Sequence, residues 1–245
     1  MENDVMADRL DKFISENSGL TRSEAKKALA SGRVTVNGAV CKKGETKVSE
    51  SDRVTLDGNG LKVIGQVYIL LNKPAGVLSA TEDTRDRTVL DLLKEDPEIR
   101  ESCPRNGLFP VGRLDKDTEG LLIITNDGVL SHNLLSPAKH VEKEYLAVCD
   151  GELAKDAADR FAEGIQVGEE YKAKPAKLTV VSENENECTL KIVLTEGRFH
   201  QVKRMCHEVG VEVRYLKRIR FGELVLPEDM PVGAMKFIDK KEITG

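Results

Sequence analysis

The sequence predicts an α+β chain in two unequal parts. Three observations predict it. Two short amphipathic helices and a tight hairpin fill the first 60 residues. A glycine-rich break follows them. Beyond it, short apolar strands and helices interleave to the C-terminus. At 245 residues the chain has room for a large and a small domain, and its 40% apolar content is enough for a packed core.

In the first part, Leu10, Phe13 and Ile14 recur at helical spacing over residues 9–17. Thr21-Arg22-Ser23-Glu24 is a capping box, in which the threonine hydroxyl accepts from the Glu24 amide and the glutamate reaches back. It predicts a second helix over Arg22–Ala30, with Ala25, Ala28 and Leu29 inward and Gly32 as its stop. Val34-Thr35-Val36 reads as a strand, Asn37-Gly38 as a two-residue hairpin turn, and Ala39-Val40 as the return. Residues 53–56 are a further strand ended by Asp57-Gly58, and Gly58-Asn59-Gly60 with Gly65 reads as linker material. The expected division is a module over 1–60, a linker over 61–66 and a larger domain over 67–245.

In the larger part, residues 67–71 are a fully apolar strand from which Asn72-Lys73-Pro74-Ala75-Gly76 breaks as a loop. Leu121 to Ile124 reads as a buried strand, and Asn126-Asp127-Gly128 closes it as a turn. Further strands are expected at 143–148, 178–181, 188–194 and Val211–Phe221, and helices at 88–93, 129–135 and 153–162. Residues 198–208 read as a helix with Phe199, Val202, Met205 and Cys206 on its docking side. His200, Lys203, Arg204 and His207 then form an outward cationic side.

The totals narrow the function classes. No run of 18 apolar residues suggests a membrane span, and the polar, acidic N-terminus has no signal-peptide core. Five cysteines without a C-x-x-C pair fit a reduced cytoplasm better than a disulfide framework. The net charge of −5 speaks against a polyanionic partner, but its distribution speaks for one. Residues 9–47 hold nine bases (Arg9, Lys12, Arg22, Lys26, Lys27, Arg33, Lys42, Lys43, Lys47) against four acids. Residues 196–220 hold seven bases against three acids. Two basic islands in an acidic chain point to nucleic acid, against the plainer reading of two solvated faces.

Between these islands lies a charged loop, Arg113-Leu114-Asp115-Lys116-Asp117-Thr118-Glu119, set against the apolar strand that follows it. A loop ordered by a strand behind it can present a carboxylate to a cleft, although most turn aspartates only accept backbone hydrogen bonds. The four histidines lack zinc-ligand spacing, and no phosphate-cradling G-x-x-x-x-G-K-[ST] string or G-x-S-x-G elbow is present. What remains is chemistry by carboxylate, phenol and cation, with no metal and no cofactor.

Two resemblances sharpen this reading. Arg9-Leu10-Asp11-Lys12-Phe13-Ile14, Ser23-Glu24-Ala25-Lys26 and Gly32-Arg33-Val34-Thr35-Val36-Asn37-Gly38 resemble the S-four RNA-binding domain. That resemblance implies RNA contacts by Arg9, Lys12, Arg22, Lys26, Lys27 and Arg33, which suits a module gripping phosphates and shape. The larger part carries five strings in one order. They are Asn72-Lys73-Pro74-x-Gly76; Gly112-Arg113-Leu114-Asp115-x-Asp117-Thr118-x-Gly120-Leu121-Leu122; Thr125-Asn126-Asp127-Gly128; Lys143-x-Tyr145-Leu146; and Glu196-Gly197-Arg198-Phe199-His200-Gln201-Val202-Lys203-Arg204-Met205. They resemble the RsuA-type family of ribosomal RNA pseudouridine synthases, and with the module the likeness covers nearly the whole chain.

That resemblance implies a mostly antiparallel mixed sheet and isomerisation of one uridine. Within the family the likeness is greatest to members acting on small-subunit (16S) RNA, free or in an assembling particle; a 23S uridine is the alternative. Asp115 is implied as nucleophile or base, with Lys203 as its basic partner and Tyr145 packed on the flipped base. A core tyrosine is the plainer reading of Tyr145. Arg113 is expected to enter the gap left by the extruded nucleotide, and Lys143, Arg198, His200 and Arg204 to contact substrate. Asp117 is placed to compete for Lys203. The protein is expected to work as a cytoplasmic monomer. A binding-only assembly factor would explain the basic islands but not the Asp115, Tyr145 and Lys203 set. A glycosidase fits poorly with a chain that has no Trp and 4% aromatics.

Overall fold

The computed structural model describes residues 8–49, 51–61, 65–103 and 107–245, so the centre of the expected linker, 62–64, lies outside it. The chain forms two units: one runs to Val67 and includes Leu93–Leu108, and the other is Tyr68–Leu92 with Phe109–Gly245. The sequence division, by contrast, places residues 93–108 in the larger part.

In the first unit, helices Leu10–Asn17 and Arg22–Ala30 pack Leu10, Phe13, Ile14, Ala25, Ala28 and Leu29 against Val34, Val48 and Val54. The capping box forms as expected: the Glu24 amide donates to the Thr21 hydroxyl at 3.3 Å, and the Thr21 amide donates to the Glu24 carboxylate at 2.8 Å. Asn37 and Gly38 take φ of 52° and 86°, and so close the hairpin between Val34–Val36 and Ala39–Val40. Residues 58–60 are not linker. Asp57 and Gly58 also turn at positive φ, and Asn59–Gly60 returns to pair with Val54–Leu56 as the edge of a four-stranded sheet. Two adjacent turn residues after a short strand are equally a hairpin signal, and glycine content concealed it.

The second unit is built on a nine-stranded mixed sheet. Its main path is Lys177–Glu183, Glu187–Leu194, Lys143–Gly151, Val211–Phe221, Glu119–Thr125, Tyr68–Lys73 and Met235–Phe237. These neighbours pair antiparallel, except that Val211–Phe221 and Glu119–Thr125 run parallel. At that parallel contact Gly120 has φ of 102°, and a Cβ there would lie 2.2 Å from the Arg218 carbonyl oxygen. Only glycine lets the two backbones approach so closely.

Leu70, Val111, Leu121, Ile123, Leu130, Leu134 and Phe221 make one core, joined from the C-terminal segment by Ile238 and Ile243. The turn expected at 126–128 proves to be a helix start. Asp127 caps Gly128–Leu135 by accepting from the Leu130 amide at 2.9 Å, and it also accepts from the Tyr68 hydroxyl and the Lys240 ammonium, both at 2.8 Å. These bonds outweigh burial and hold its carboxyl below the ordinary carboxylate range. The helix expected at 153–162 is shorter, Ala157–Glu163.

The helix expected at 198–208 is Gln201–His207. His200 precedes it in the left-handed region, with φ of 49°, so Phe199 is thrown outward and is 71% exposed. Phe199 therefore does not dock the helix; its ring stacks on His200 at 3.8 Å. Val202, Met205 and Cys206 are the residues that dock. All five cysteines are free, and no helix is long and apolar enough to cross a membrane among the described residues.

Candidate active site

The loop before strand Glu119–Thr125 is pinned at its backbone from one side. Ser79 Oγ donates to the Leu114 carbonyl at 2.9 Å and accepts from the Leu114 amide at 3.1 Å. The Gly76 amide donates to the Lys116 carbonyl at 2.7 Å. Lys73, completely buried, directs its ammonium at four carbonyl oxygens: Pro74 and Thr118 at 2.9 Å, Asp115 at 3.2 Å and Lys116 at 3.3 Å. Burial lowers this lysine to about 8, against the pull of Asp117, Glu119 and Asp115. The clamp takes the main chain and leaves the Asp115 carboxylate free to face outward.

That carboxylate opens on a cleft of about 620 Å³, whose walls include Arg113, Asp115, Tyr145, Arg198 and His200. The volume is in the range of small-ligand sites. The side chain of Asp115 is 30% exposed, with His200 Nε2 and Lys203 Nζ each 3.8 Å away. Two groups that can carry positive charge therefore face one carboxylate at ion-pair distance. Lys203 makes its hydrogen bonds elsewhere, to both carboxylate oxygens of Asp117 at 2.7 Å. That bond holds Asp117 below the usual carboxylate range. The expected competition is thus real in the free protein, although Asp117 is 72% exposed and such a pair is weak in water.

Strand Lys143–Gly151 alternates, so Lys143, Tyr145, Ala147 and Cys149 share its buried face. Tyr145 is 7% exposed yet reaches the cleft, which combines both readings of it. A bulge between Glu144 and Tyr145 shifts the pairing to Val211–Phe221 at this point. Lys143 also lines the cleft but is buried, and its ammonium donates to the Val141 carbonyl at 3.0 Å. Burial, followed by the charge of Arg218, lowers it to about 8.

The remaining candidates scatter. Arg113 is exposed on the cleft wall. Arg198 lies over the Tyr171 ring at 4.2 Å and still borders the cleft. Arg204 is not brought to the cleft: its guanidinium pairs with Glu170 at 2.9 Å, a partner three strands upstream that helical spacing could not reveal. His207 likewise pairs with Glu212. The cationic side expected of this helix is therefore divided, with only its first turn facing Asp115.

In the first unit, Arg9 and Arg22 converge on the buried Asp11 at 3.0 and 3.5 Å, and the Arg9 bonds hold that carboxyl low. Lys12 pairs with Asp8, and Arg33 with Asp57 through two bonds. Lys26 and Lys27 are exposed. Sequence reasoning missed Lys73, Ser79 and Arg218 as parts of the site. For two of them a signal existed: a lysine ending an apolar strand, and an arginine interleaved with apolar residues.

Known proteins resemble this chain over nearly its whole length. A family model described as RNA pseudouridylate synthase matches residues 67–208, and an S4 domain model matches residues 8–54. An uncharacterized RNA pseudouridine synthase of Bacillus subtilis is 38% identical over 236 residues, 96% of both chains. The ribosomal small subunit pseudouridine synthase A of Escherichia coli is 38% identical over 237 residues, 96% of this chain and 98% of that one. A crystal structure of a pseudouridylate synthase superposes with a TM-score of 0.65 at 36% identity, covering 96% of this chain and 98% of the other. The chain belongs to the RNA pseudouridylate synthase family, as a pseudouridine synthase with an S4 domain ahead of its synthase domain.

Proposed function

We propose that the protein converts one uridine of 16S ribosomal RNA to pseudouridine, with Asp115 as the nucleophile on a flipped-out nucleotide. The observation that carries the reading is the Asp115 carboxylate itself. It faces a nucleoside-sized cleft from a turn clamped through its backbone, with two basic side chains at 3.8 Å. The small-subunit assignment is supported by relatives of nearly full length named for that activity.

The isomerisation breaks the bond from ribose C1′ to uracil N1 and forms one from C1′ to C5. The C5 proton leaves and N1 gains one. Asp115 attacks C1′ and displaces the base, and the ester so formed breaks when C5 bonds to C1′ and the carboxylate leaves. Lys203 and His200, each 3.8 Å from the carboxylate, stabilise it again as the base returns. Once RNA phosphates enter, Asp117 is the more exposed of the two acids on Lys203 and gives it up more readily. Tyr145 packs against the extruded base and so offsets part of the flipping cost. Arg113 fills the vacated stack, and Arg198 takes a phosphate. The division into 1–60, 61–66 and 67–245 assigns RNA capture to the first part and chemistry to the last.

The test uses 16S RNA tritiated at uracil C5, because only isomerisation releases that tritium. Asp115→Asn is expected to abolish release while RNA affinity stays within about twofold. Normal release by this variant would refute the mechanism. Mapping pseudouridine in RNA from a deletion strain identifies the nucleotide, and loss of a 23S site instead would move the assignment to the large subunit.

A further inference from the structure

Arg218 is 2% exposed and among the largest buried side chains of the described residues. Its Nε donates to the Leu121 carbonyl at 2.8 Å, and its Nη2 is buried without a hydrogen-bond partner among the described residues. A buried guanidinium ordinarily has a carboxylate beside it. Here burial works against the charge, and the group that favours it is the Tyr145 phenol. The other charge acting on this corner is also a cation, Lys143, which Arg218 opposes. Both cations lie over the Phe221 ring, at 5.2 and 4.8 Å from its centre. The sheet register explains the grouping: Tyr145 stands opposite Arg218 and Lys143 opposite Phe221 on neighbouring strands. Tyr145, Lys143 and Arg218 all border the cleft that holds Asp115.

We propose that Arg218 is a positioning residue that fixes the Tyr145 hydroxyl as a hydrogen-bond donor to a carbonyl oxygen of the flipped uracil. The argument is one of donor and acceptor inventory. Tyr145 stands opposite Arg218 on the neighbouring strand, and a guanidinium has donors only, so a bond between them runs from Arg218 to the phenol oxygen. The single O–H of Tyr145 is then turned away from Arg218, toward the cleft. The inference rests on the roles given above to Asp115 and Tyr145. When the bond from C1′ to N1 breaks, its electron pair stays on uracil, and the charge spreads to the ring carbonyl oxygens. A donor already aimed at such an oxygen is worth more as that charge develops than before, so it lowers the barrier rather than only strengthening binding. No proton leaves Tyr145 in this step; it returns a stronger hydrogen bond.

The full-length protein and C5-tritiated 16S RNA test this in a double-mutant cycle, read as single-turnover tritium release at saturating RNA. Tyr145→Phe and Arg218→Met are each expected to slow release by about 10- to 100-fold. Because one acts through the other, the double variant should be within about twofold of the slower single one. A double variant slowed by the product of the two factors would overturn the proposal, as would an effect of Arg218→Met confined to RNA affinity. If Arg218→Met does not fold, Arg218→Leu, which also removes every donor, replaces it in the same cycle, with the same two outcomes. If Tyr145→Phe releases no tritium, Arg218→Lys is compared with Arg218→Met: at least tenfold recovery by lysine supports the role, and equal rates refute it. An Asp115→Asn variant with normal release would sink the underlying reading. An additive cycle beside an inactive Asp115→Asn would sink only the role of Arg218.

Discussion

Lys73 shows how much one side chain can organise. Its ammonium offers three N–H donors to four carbonyl oxygens, three of them from the turn that carries Asp115. Replacing it with Met leaves those carbonyls facing an apolar chain, each at a cost of about 1–3 kcal/mol if it stays dry. Lys73→Met is therefore expected to lower tritium release at least tenfold by loosening the turn, while RNA affinity measured by filter binding stays unchanged. Lys143 makes a different prediction. Its folded value of about 8 lies below the 10.5 of an ordinary lysine. Between those values the unfolded chain binds more protons than the folded one, so the group's contribution to stability rises with pH across that window and is least favourable below it. Lys143→Met should flatten that rise, read as urea midpoints at pH 7, 8, 9 and 10. It should also stabilise the protein at pH 7, on the order of 1–3 kcal/mol, by removing a buried charge that pairs with no acid among the described residues.

Elements decide where these side chains meet. The strand Val211–Phe221 lies between Lys143–Gly151 and Glu119–Thr125, so it brings Arg218 to Tyr145 on one side and to the Asp115 strand on the other. The second contact depends on Gly120. Gly120→Ala would place its Cβ 2.2 Å from a backbone oxygen at a φ that alanine rarely adopts, so the strands must part. The expected loss is about 3 kcal/mol or more, seen as a lower unfolding midpoint with little activity in the fraction that remains folded. Helix Gln201–His207 gives the complementary lesson. Its periodicity was legible, but its start was not, because the left-handed turn at His200 is invisible to a helical wheel. That turn exposes Phe199 and leaves His200 and Lys203 facing Asp115.

At the scale of the molecule, the negative net charge conceals a division of labour. In the first unit several expected RNA contacts are already tied to acids: Lys12 to Asp8 and Glu16, and Arg33 to Asp57. Lys26 and Lys27, exposed on helix Arg22–Ala30, are the better candidates for phosphate contacts. Changing both to Glu is expected to weaken RNA binding and lower the slope of log affinity against log salt by about 1 per lost phosphate contact. Single-turnover release at saturating RNA should be preserved, since these residues lie in a different unit from Asp115. Loss of the chemical rate with unchanged affinity would contradict that division.

Local chemistry made much of this protein legible. A capping box, an Asn-Gly turn and runs of period 2 or 3.6 depend on residues a few positions apart, so the helix pair, the hairpin and most strands of the large sheet could be read directly. The charged loop at Asp115 was legible for the same reason. What the folded chain alone decided are the encounters across long separations. Lys203 bonds Asp117 from 86 residues away, Lys73 reaches the Thr118 carbonyl across 45, and Arg218 reaches the Leu121 carbonyl across 97. No periodicity encodes such pairs. They follow from sheet order and register, which place a lysine under a turn and an arginine behind a tyrosine, and burial then gives those charges their chemical character.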